Sequence, residues 1–402
     1  MGKRVQASAT LRVGDVVEVT VERLVPGGAG LAHAQGATLF VTLAAPGDQL
    51  RVRVERVRGA VAFAAIVEII KPGLARIEPP CPYFGRCGGC DFQQLTYEAQ
   101  LAAKVEIIRD CLRRIARLEP PADIPITPSP AGWHYRARAR WQYDAAHGQL
   151  GYYELASHRV CDVAACPVIM PEVQSVLARL RAHMTTGALP QAAEFQAVAG
   201  DDGVSLTPPV AAPDAHERQR TIAGERYRFD ADCFFQINHA LLEPLVHAAL
   251  RDERGATAID LYCGVGLFTL PLARRFQRVV GIEANARAAT YARRNLADAQ
   301  LANTRVTASL VGPWLTRHAA DFAPVDLVLL DPPRAGADTE TTRGILTLRP
   351  QRIAYVSCDP ATLARDLRAL HAGGYTLTSL AAFDMFPQTH HVETVAHLTR
   401  GN

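Results

Sequence analysis

Ala258-Ile259-Asp260-Leu261-Tyr262-Cys263-Gly264-Val265-Gly266 decides the fold of this chain. An apolar, β-rich run carries an acid near its end and passes into a glycine-punctuated turn, and a helical pattern opens at Leu267. Glycines at such a place let the backbone approach a ligand closely at the carboxyl end of a strand. Downstream, apolar β-rich runs at residues 278–282, 305–307, 326–330 and 353–357 are separated by helical patterns. That alternation predicts a parallel, doubly wound sheet. Residues 375–385 and 392–398 then read as two strands joined by a short turn, an antiparallel pair at the sheet edge.

Glu283 ends the second run, at the place where an acid accepts hydrogen bonds from ribose hydroxyls. A dinucleotide site would carry a third glycine, but Phe268-Thr269 stands there. With the antiparallel final pair, this favours S-adenosylmethionine over a nicotinamide cofactor. Asp331-Pro332-Pro333-Arg334 ends the fourth run and Ser357-Cys358-Asp359-Pro360 the fifth, so both lie on the cofactor side. Cys358 precedes a helix starting near Pro360, and a thiol beside a helix N-terminus is expected to have a lowered pKa.

Upstream, residues 11–70 read as short strands separated by Pro26-Gly27-Gly28-Ala29-Gly30 and Pro46-Gly47-Asp48, which favours a small closed barrel with Arg51, Arg53 and Arg58 on its outer face. Lys71-Pro72-Gly73 reads as a linker. Leu101, Val105, Ile108, Leu112 and Ile115 recur at helical spacing. In Trp133-His134-Tyr135-Arg136-Ala137-Arg138-Ala139-Arg140-Trp141, a strand would put three arginines on one face, fit either for phosphate contacts or for plain solvation. Three parts follow: 1–70, 71–229 and 230–402.

The 402 residues can bury large cores, and the net charge of +3 is unevenly spread. Residues 1–60 carry eight Lys or Arg against five Asp or Glu, a local basic surface that a polyanion would find. The polar start and the lack of a long apolar run point to a cytoplasmic protein with no membrane span. Disulfides are then poor candidates for the nine cysteines. Cys81, Cys87 and Cys90 lie close together and Cys166 is remote, and spacing leaves zinc and an iron–sulfur cluster both open. Cys111, Cys161, Cys233 and Cys263 read as packing residues.

Taken together, Phe234-Phe235-Gln236-Ile237-Asn238, Asp260 to Gly266, Asp331-Pro332-Pro333-Arg334-Ala335-Gly336, Val356-Ser357-Cys358-Asp359-Pro360 and Glu393 resemble the RNA uracil-5-methyltransferase family, over nearly the whole chain. The resemblance implies a Rossmann-like class I methyltransferase sheet. In front of it would stand an OB-like TRAM barrel, carried by Val25 to Ala32, and a central α+β domain with a metal cluster. It implies Cys358 as nucleophile and Glu393 as proton acceptor. Gln236, Tyr262, Gly264, Gly266, Glu283 and Asp331 would surround the cofactor and a flipped base. Ser309, where a polar amide is typical, departs from the pattern near the adenine. The cysteine pattern is similar to a [4Fe-4S] site on Cys81, Cys87, Cys90 and Cys166. The implied partner is RNA, 23S ribosomal RNA first and transfer RNA second, and a monomer is expected. A non-catalytic RNA-binding or assembly factor is the alternative of another class.

Overall fold

The computed structural model describes residues 11–189, 193–211, 214, 216–322 and 324–401. The first ten residues, part of the polar start, lie outside the described residues. The chain divides into two units, one of residues 1–110 with 387–391 and one of 111–386 with 392–402.

In the first unit, β1 (Val16–Thr20), β2 (Arg23–Leu24), β3 (Gly30–Ala34), β4 (Ala37–Val41), β5 (Gln49–Arg58) and β6 (Val61–Lys71) form one sheet in the order β1-β5-β6-β4-β3-β2. The chain between β1 and β2 joins the two ends: Val21 N donates to Asp48 O and Glu22 N to Leu31 O. Alternate residues Leu50, Val52 and Val54 of β5 enter the core beside Leu39 and Val41, as the period of two requires. Their neighbours Arg53, Arg56 and Arg58 are exposed, whereas Arg51 is held between Glu18 and Glu68.

The residues read as a linker are pinned. Buried Asp48 accepts from Gly73 N at 2.9 Å, from Ala45 N at 2.7 Å and from the Arg76 guanidinium at 2.7 Å. Helix α1 (Tyr97–Cys111) follows the cysteine loop. Residues 387–391 belong to this unit through Asp91 N and Phe92 N, which both donate to Gln388 O, and through the His390–Asp91 pair.

In the second unit, β7 (Ile126–Thr127) precedes β8 (Arg138–Asp144), β9 (Gln149–Tyr153), β10 (Val160–Asp162), helix α2 (Pro171–Thr185), β11 (Glu194–Gly200) and β12 (Gly203–Thr207). Five of these strands form an antiparallel sheet, β10-β9-β8-β11-β12. The arginine alternation is present, and Ala137, Ala139 and Trp141 are buried. Arg138, however, points inward: its guanidinium donates to Cys233 O, to Ala231 O at 2.9 Å and to Gln196 Oε1 at 2.7 Å. Arg140 pairs with Glu194 at 3.2 Å. Arg138 is therefore a brace for the segment leading into 234–238 rather than a phosphate contact.

A hairpin, β13 (Arg218–Ile222) and β14 (Glu225–Phe229), leads to α3 (Leu242–Leu250) and β15 (Gly255–Leu261). Then come α4 (Thr269–Ala273), β16 (Phe276–Glu283), α5 (Ala286–Asp298), β17 (Thr304–Ala308), α6 (Val311–His318), β18 (Leu327–Leu330), α7 (Thr339–Leu348), β19 (Arg352–Ser357), α8 (Pro360–Ala372), β20 (Tyr375–Phe383) and β21 (Glu393–Arg400). The sheet order is β17-β16-β15-β18-β19-β21-β20-β7, and β17 through β19 run parallel. Strand β18 is buried along its whole length, as a central parallel strand covered on both faces must be.

The strand order reverses between β15 and β18, which opens a crevice at their carboxyl ends. Helices begin there with side-chain caps: Asn285 accepts from Arg287 N, Asp338 from Thr341 N, and Asp359 from Ala361 N and Thr362 N. The final pair is antiparallel as expected. Strand β21 lies between β19 and β20, and β7 takes the edge.

Candidate active site

The turn after β15 carries the least relaxed backbone of the site. Tyr262 has φ +64°, Gly264 +54° and Gly266 +97°. A side chain as large as Tyr262 adopts positive φ only where its surroundings impose it. Its phenol lies 3.2 Å from Thr341 Oγ1 at the start of α7. At Gly266 a Cβ would come within 2.9 Å of Leu270, so that glycine keeps α4 close to the turn. At Gly264 a Cβ would meet nothing within 4 Å. Its backbone faces open space, a cradle a ligand can enter.

Glu283 braces this turn. One carboxylate oxygen accepts from Gly264 N at 2.8 Å and the other from Asn285 N at 2.7 Å. Asp260 lies deeper and fully buried. Its Oδ2 accepts from Thr269 Oγ1 at 2.5 Å, while Oδ1 has no protein partner. Burial, with Asp331 and Glu283 near, pushes its pKa up to about 8. This carboxyl lies within the quoted motif, but nothing in the sequence distinguishes it from a strand-end acid that simply meets water. An open glycine cradle edged by the Glu283 carboxylate fits a ligand that is a cation with ribose hydroxyls. S-adenosylmethionine, with its sulfonium and ammonium groups, is such a ligand.

Beside this cradle are the expected catalytic residues. Strands β19 and β21 pair up to Ser357 opposite Thr394, and Thr394 Oγ1 donates to Ser357 O at 2.9 Å. One residue further on each strand, Cys358 faces Glu393. Glu393 is 1% exposed, and its Oε1 has no partner. Buried Gln236 donates through Nε2 to Asp331 Oδ2 at 3.3 Å, tying the 234–238 segment to the end of β18. Asn238 is anchored on Ser129 at 2.9 Å.

The thiol does not behave as its helix position suggests. Burial, then Glu393 and Asp331, push the Cys358 pKa up to about 12, against a downward pull from Arg334. Asp359 caps α8, so the first amides of that helix serve its carboxylate. The expected lowering is overturned, because two carboxyl groups and desolvation outweigh a capped helix end. Burial also raises Asp331 to about 7 and holds Glu393 well above its ordinary value. Arg334 opposes the rise at Glu393 as well. The sequence singled out neither this role of Arg334 nor Phe234, which is 60% exposed two residues before Gln236.

Cys81, Cys87, Cys90 and Cys166 are all half-buried, whereas Cys111, Cys161, Cys233 and Cys263 are buried as packing residues should be. Among the described residues, no group of three or more His, Cys, Asp or Glu side chains is drawn together as metal ligands would be. Nor, among them, is any helix long and apolar enough to cross a membrane.

Residues 217–401 match the family described as tRNA (Uracil-5-)-methyltransferase, and residues 11–67 match the TRAM domain. An uncharacterized RNA methyltransferase of Thermosynechococcus vestitus is 34% identical, over 96% of this chain and 98% of its own. A 23S rRNA (uracil(1939)-C(5))-methyltransferase of Vibrio parahaemolyticus is 33% identical, over 94% of each chain. This chain belongs to the RNA uracil-5-methyltransferase family. The crystal structure of the tRNA (uracil-54, C5)-methyltransferase of Pyrococcus abyssi, solved with S-adenosyl-L-homocysteine, aligns with a TM-score of 0.73. It covers 95% of this chain and all of that one at 24% identity. The family's class I methyltransferase sheet, preceded by a TRAM barrel, is thus the fold described above.

Proposed function

We propose that this chain transfers a methyl group from S-adenosylmethionine to carbon 5 of a uridine in 23S ribosomal RNA. The observation that carries the reading is the register that sets Cys358 against Glu393 beside the Gly264 cradle. Carbon 5 of uracil is too weak a nucleophile to take a methyl group unaided. Addition of a thiolate at carbon 6 turns the ring into an enolate with charge at carbon 5, splitting one hard step into easier ones. S-adenosylmethionine, when bound, supplies the electrophilic methyl group.

The chain's own residues manage the protons. The Cys358 thiol is held protonated, so its proton must leave as the sulfur bonds to carbon 6. Asp331, raised to about 7, is available as a carboxylate in part of the molecules at neutral pH and takes it. After methylation, Glu393 in its carboxylate form, which neighbouring Arg334 favours against burial, removes the carbon-5 proton so that the Cys358 sulfur can depart. Gln236 steadies Asp331, and exposed Phe234 offers a face on which an unstacked uracil can rest.

Ribosomal RNA is favoured because several relatives near 33% identity, matched along the chain, are named for that substrate. The matched family and the archaeal structure are named for transfer RNA, which is the second reading. Mapping 5-methyluridine in 23S ribosomal and transfer RNA, from cells with and without this protein, tests both. A missing mark in neither RNA removes the proposal.

The finer reading of the cysteines is a [4Fe-4S] cluster on Cys81, Cys87, Cys90 and Cys166. Four half-buried thiols at this spacing are suitable donors.

A further inference from the structure

Arg334 is a cation set against the reacting pair, opposing the upward push that burial and carboxyl neighbours give to Cys358 and Glu393. Yet the residue is exposed, and among the described residues no hydrogen bond or ion pair holds its guanidinium. The place of such a side chain is set by its backbone. Pro332 and Pro333 stiffen the approach, since each ring fixes its own φ and the residue before a proline is kept extended.

The exit from Arg334 is held by α8. Asp366, 3% exposed in the middle of that helix, accepts from Ala337 N at 2.8 Å through Oδ2. The same oxygen accepts from the Tyr355 phenol at 2.6 Å, and Oδ1 accepts from Arg365 Nε at 2.7 Å. Arg365 in turn donates to Ala335 O at 2.9 Å and to Ala337 O at 3.0 Å. Between those two carbonyls Gly336 has φ +75°, and a Cβ there would come within 2.6 Å of both Asp366 and Arg365. The segment is thus pressed onto α8 as closely as a glycine allows. Burial, with Asp366 near, pushes the buried Tyr355 phenol well up, so it stays a donor.

The same helix begins at the nucleophile, for Asp359 caps it directly after Cys358. Tyr355 precedes Cys358 by three residues in β19. The thiol and the brace therefore stand on one strand-and-helix frame, and the brace reaches from it to the backbone beside Arg334.

We propose that Asp366, Arg365 and Tyr355 are positioning residues that hold the 331–337 segment so that the Arg334 guanidinium stays against Cys358 and Glu393. The inference rests on the reading of those two as the reacting pair. The charged groups facing Cys358 are Glu393 at the start of β21, Asp331 just after β18, Asp359 at the head of α8, and Arg334. Three are carboxyl groups and one is a cation, so displacing the cation leaves repulsion unopposed and makes the thiolate harder to form. Mere loosening of the segment would act the other way, because easier access speeds the reaction of a buried thiol.

The test follows modification of Cys358 by a small aromatic disulfide in the full chain without RNA. Asp366→Asn cannot accept from Ala337 N and Arg365 together, and Arg365→Met loses both carbonyl contacts. The Arg365 side chain is 52% exposed, so this second variant keeps the test available if Asp366→Asn fails to fold. Arg334→Met is the reference. Each should slow modification at pH 8 by about three-fold, the net of about ten-fold less thiolate and about three-fold greater nucleophilicity. Combining Arg334→Met with Asp366→Asn should slow it no further than Arg334→Met alone, since the brace acts through that arginine. Wild-type or faster modification in Asp366→Asn and Arg365→Met would overturn the proposal. So would a wild-type rate in Arg334→Met, or additive losses in the double variant. Formation of 5-methyluridine by the wild type is scored separately. If it fails while the thiol pattern holds, the methylation reading falls and the positioning of Arg334 stands.

Discussion

The raised pKa of Cys358 gives a sharp prediction for the protein without RNA. A probe of thiolate chemistry, such as a small aromatic disulfide, should react slowly at this residue. At pH 8 an ordinary thiol with a pKa of 9 is ionised in about one molecule in ten, and one at about 12 in about one in ten thousand. The more basic thiolate is intrinsically more nucleophilic, by about twenty-fold over three units at a Brønsted slope near 0.45. The net expectation is a reaction about fifty-fold slower than at an exposed thiol, with burial slowing it further. The rate should climb about ten-fold per pH unit from pH 7 through pH 10 without levelling. Peptide mapping by mass spectrometry would follow Cys358 apart from the other eight cysteines. In Glu393→Gln, loss of the nearest carboxyl group should shift the curve to lower pH. A plateau at or below neutral pH in the wild type would refute the reasoning. It would mean that the helix start, rather than burial and carboxyl neighbours, governs the thiol.

Four further outcomes are expected. Cys358→Ala should bind RNA yet form neither adduct nor product, whereas Glu393→Gln should stall after methylation and accumulate a covalent protein–RNA species on a denaturing gel. Asp331 must be ionised to accept the thiol proton, and its pKa is raised, so kcat should fall about ten-fold per unit as pH drops below about 7. By linkage the same shift favours the fold in acid, a contribution lost as pH rises from about 4 to about 7. Arg138→Ala removes donors to Cys233 O, Ala231 O and Gln196, so it should lower stability by roughly 2–4 kcal/mol while leaving the salt dependence of RNA binding unchanged; calorimetry and filter binding separate the two. Anaerobically purified protein should be brown and hold iron near four atoms per chain, and Cys87→Ser should lose it. One tightly bound zinc in a colourless protein would exclude the cluster.

Much of the fold could be read from local pattern. The run 255–261, its glycine turn and the acid at Glu283 each sit where period and turn chemistry put them. What escaped depends on partners distant in sequence. Alternation correctly set Arg138 apart from Ala137 and Ala139, but it could not show carbonyls of residues 231 and 233 waiting for its guanidinium. The start of a helix after Cys358 was visible. The carboxyl groups that raise its pKa arrive from the ends of β18 and β21, so the sign of the shift was not visible. Asp260 and His239 look ordinary in one dimension, and only burial without a partner sets them apart.

The pairing of β19 with β21 also has a consequence for how such a site can change. Because Cys358 and Glu393 meet one step beyond a hydrogen-bonded ladder, their alignment comes in whole numbers. Removing one residue within β21 turns Glu393 to the opposite face of the sheet, and removing two restores the face but moves the carboxyl about 7 Å along the strand. No intermediate setting exists. Substitutions can tune this centre by degrees, but a single insertion or deletion in either strand switches it off in one step unless a β-bulge, such as the irregularity between Leu377 and Ser379 of β20, absorbs it.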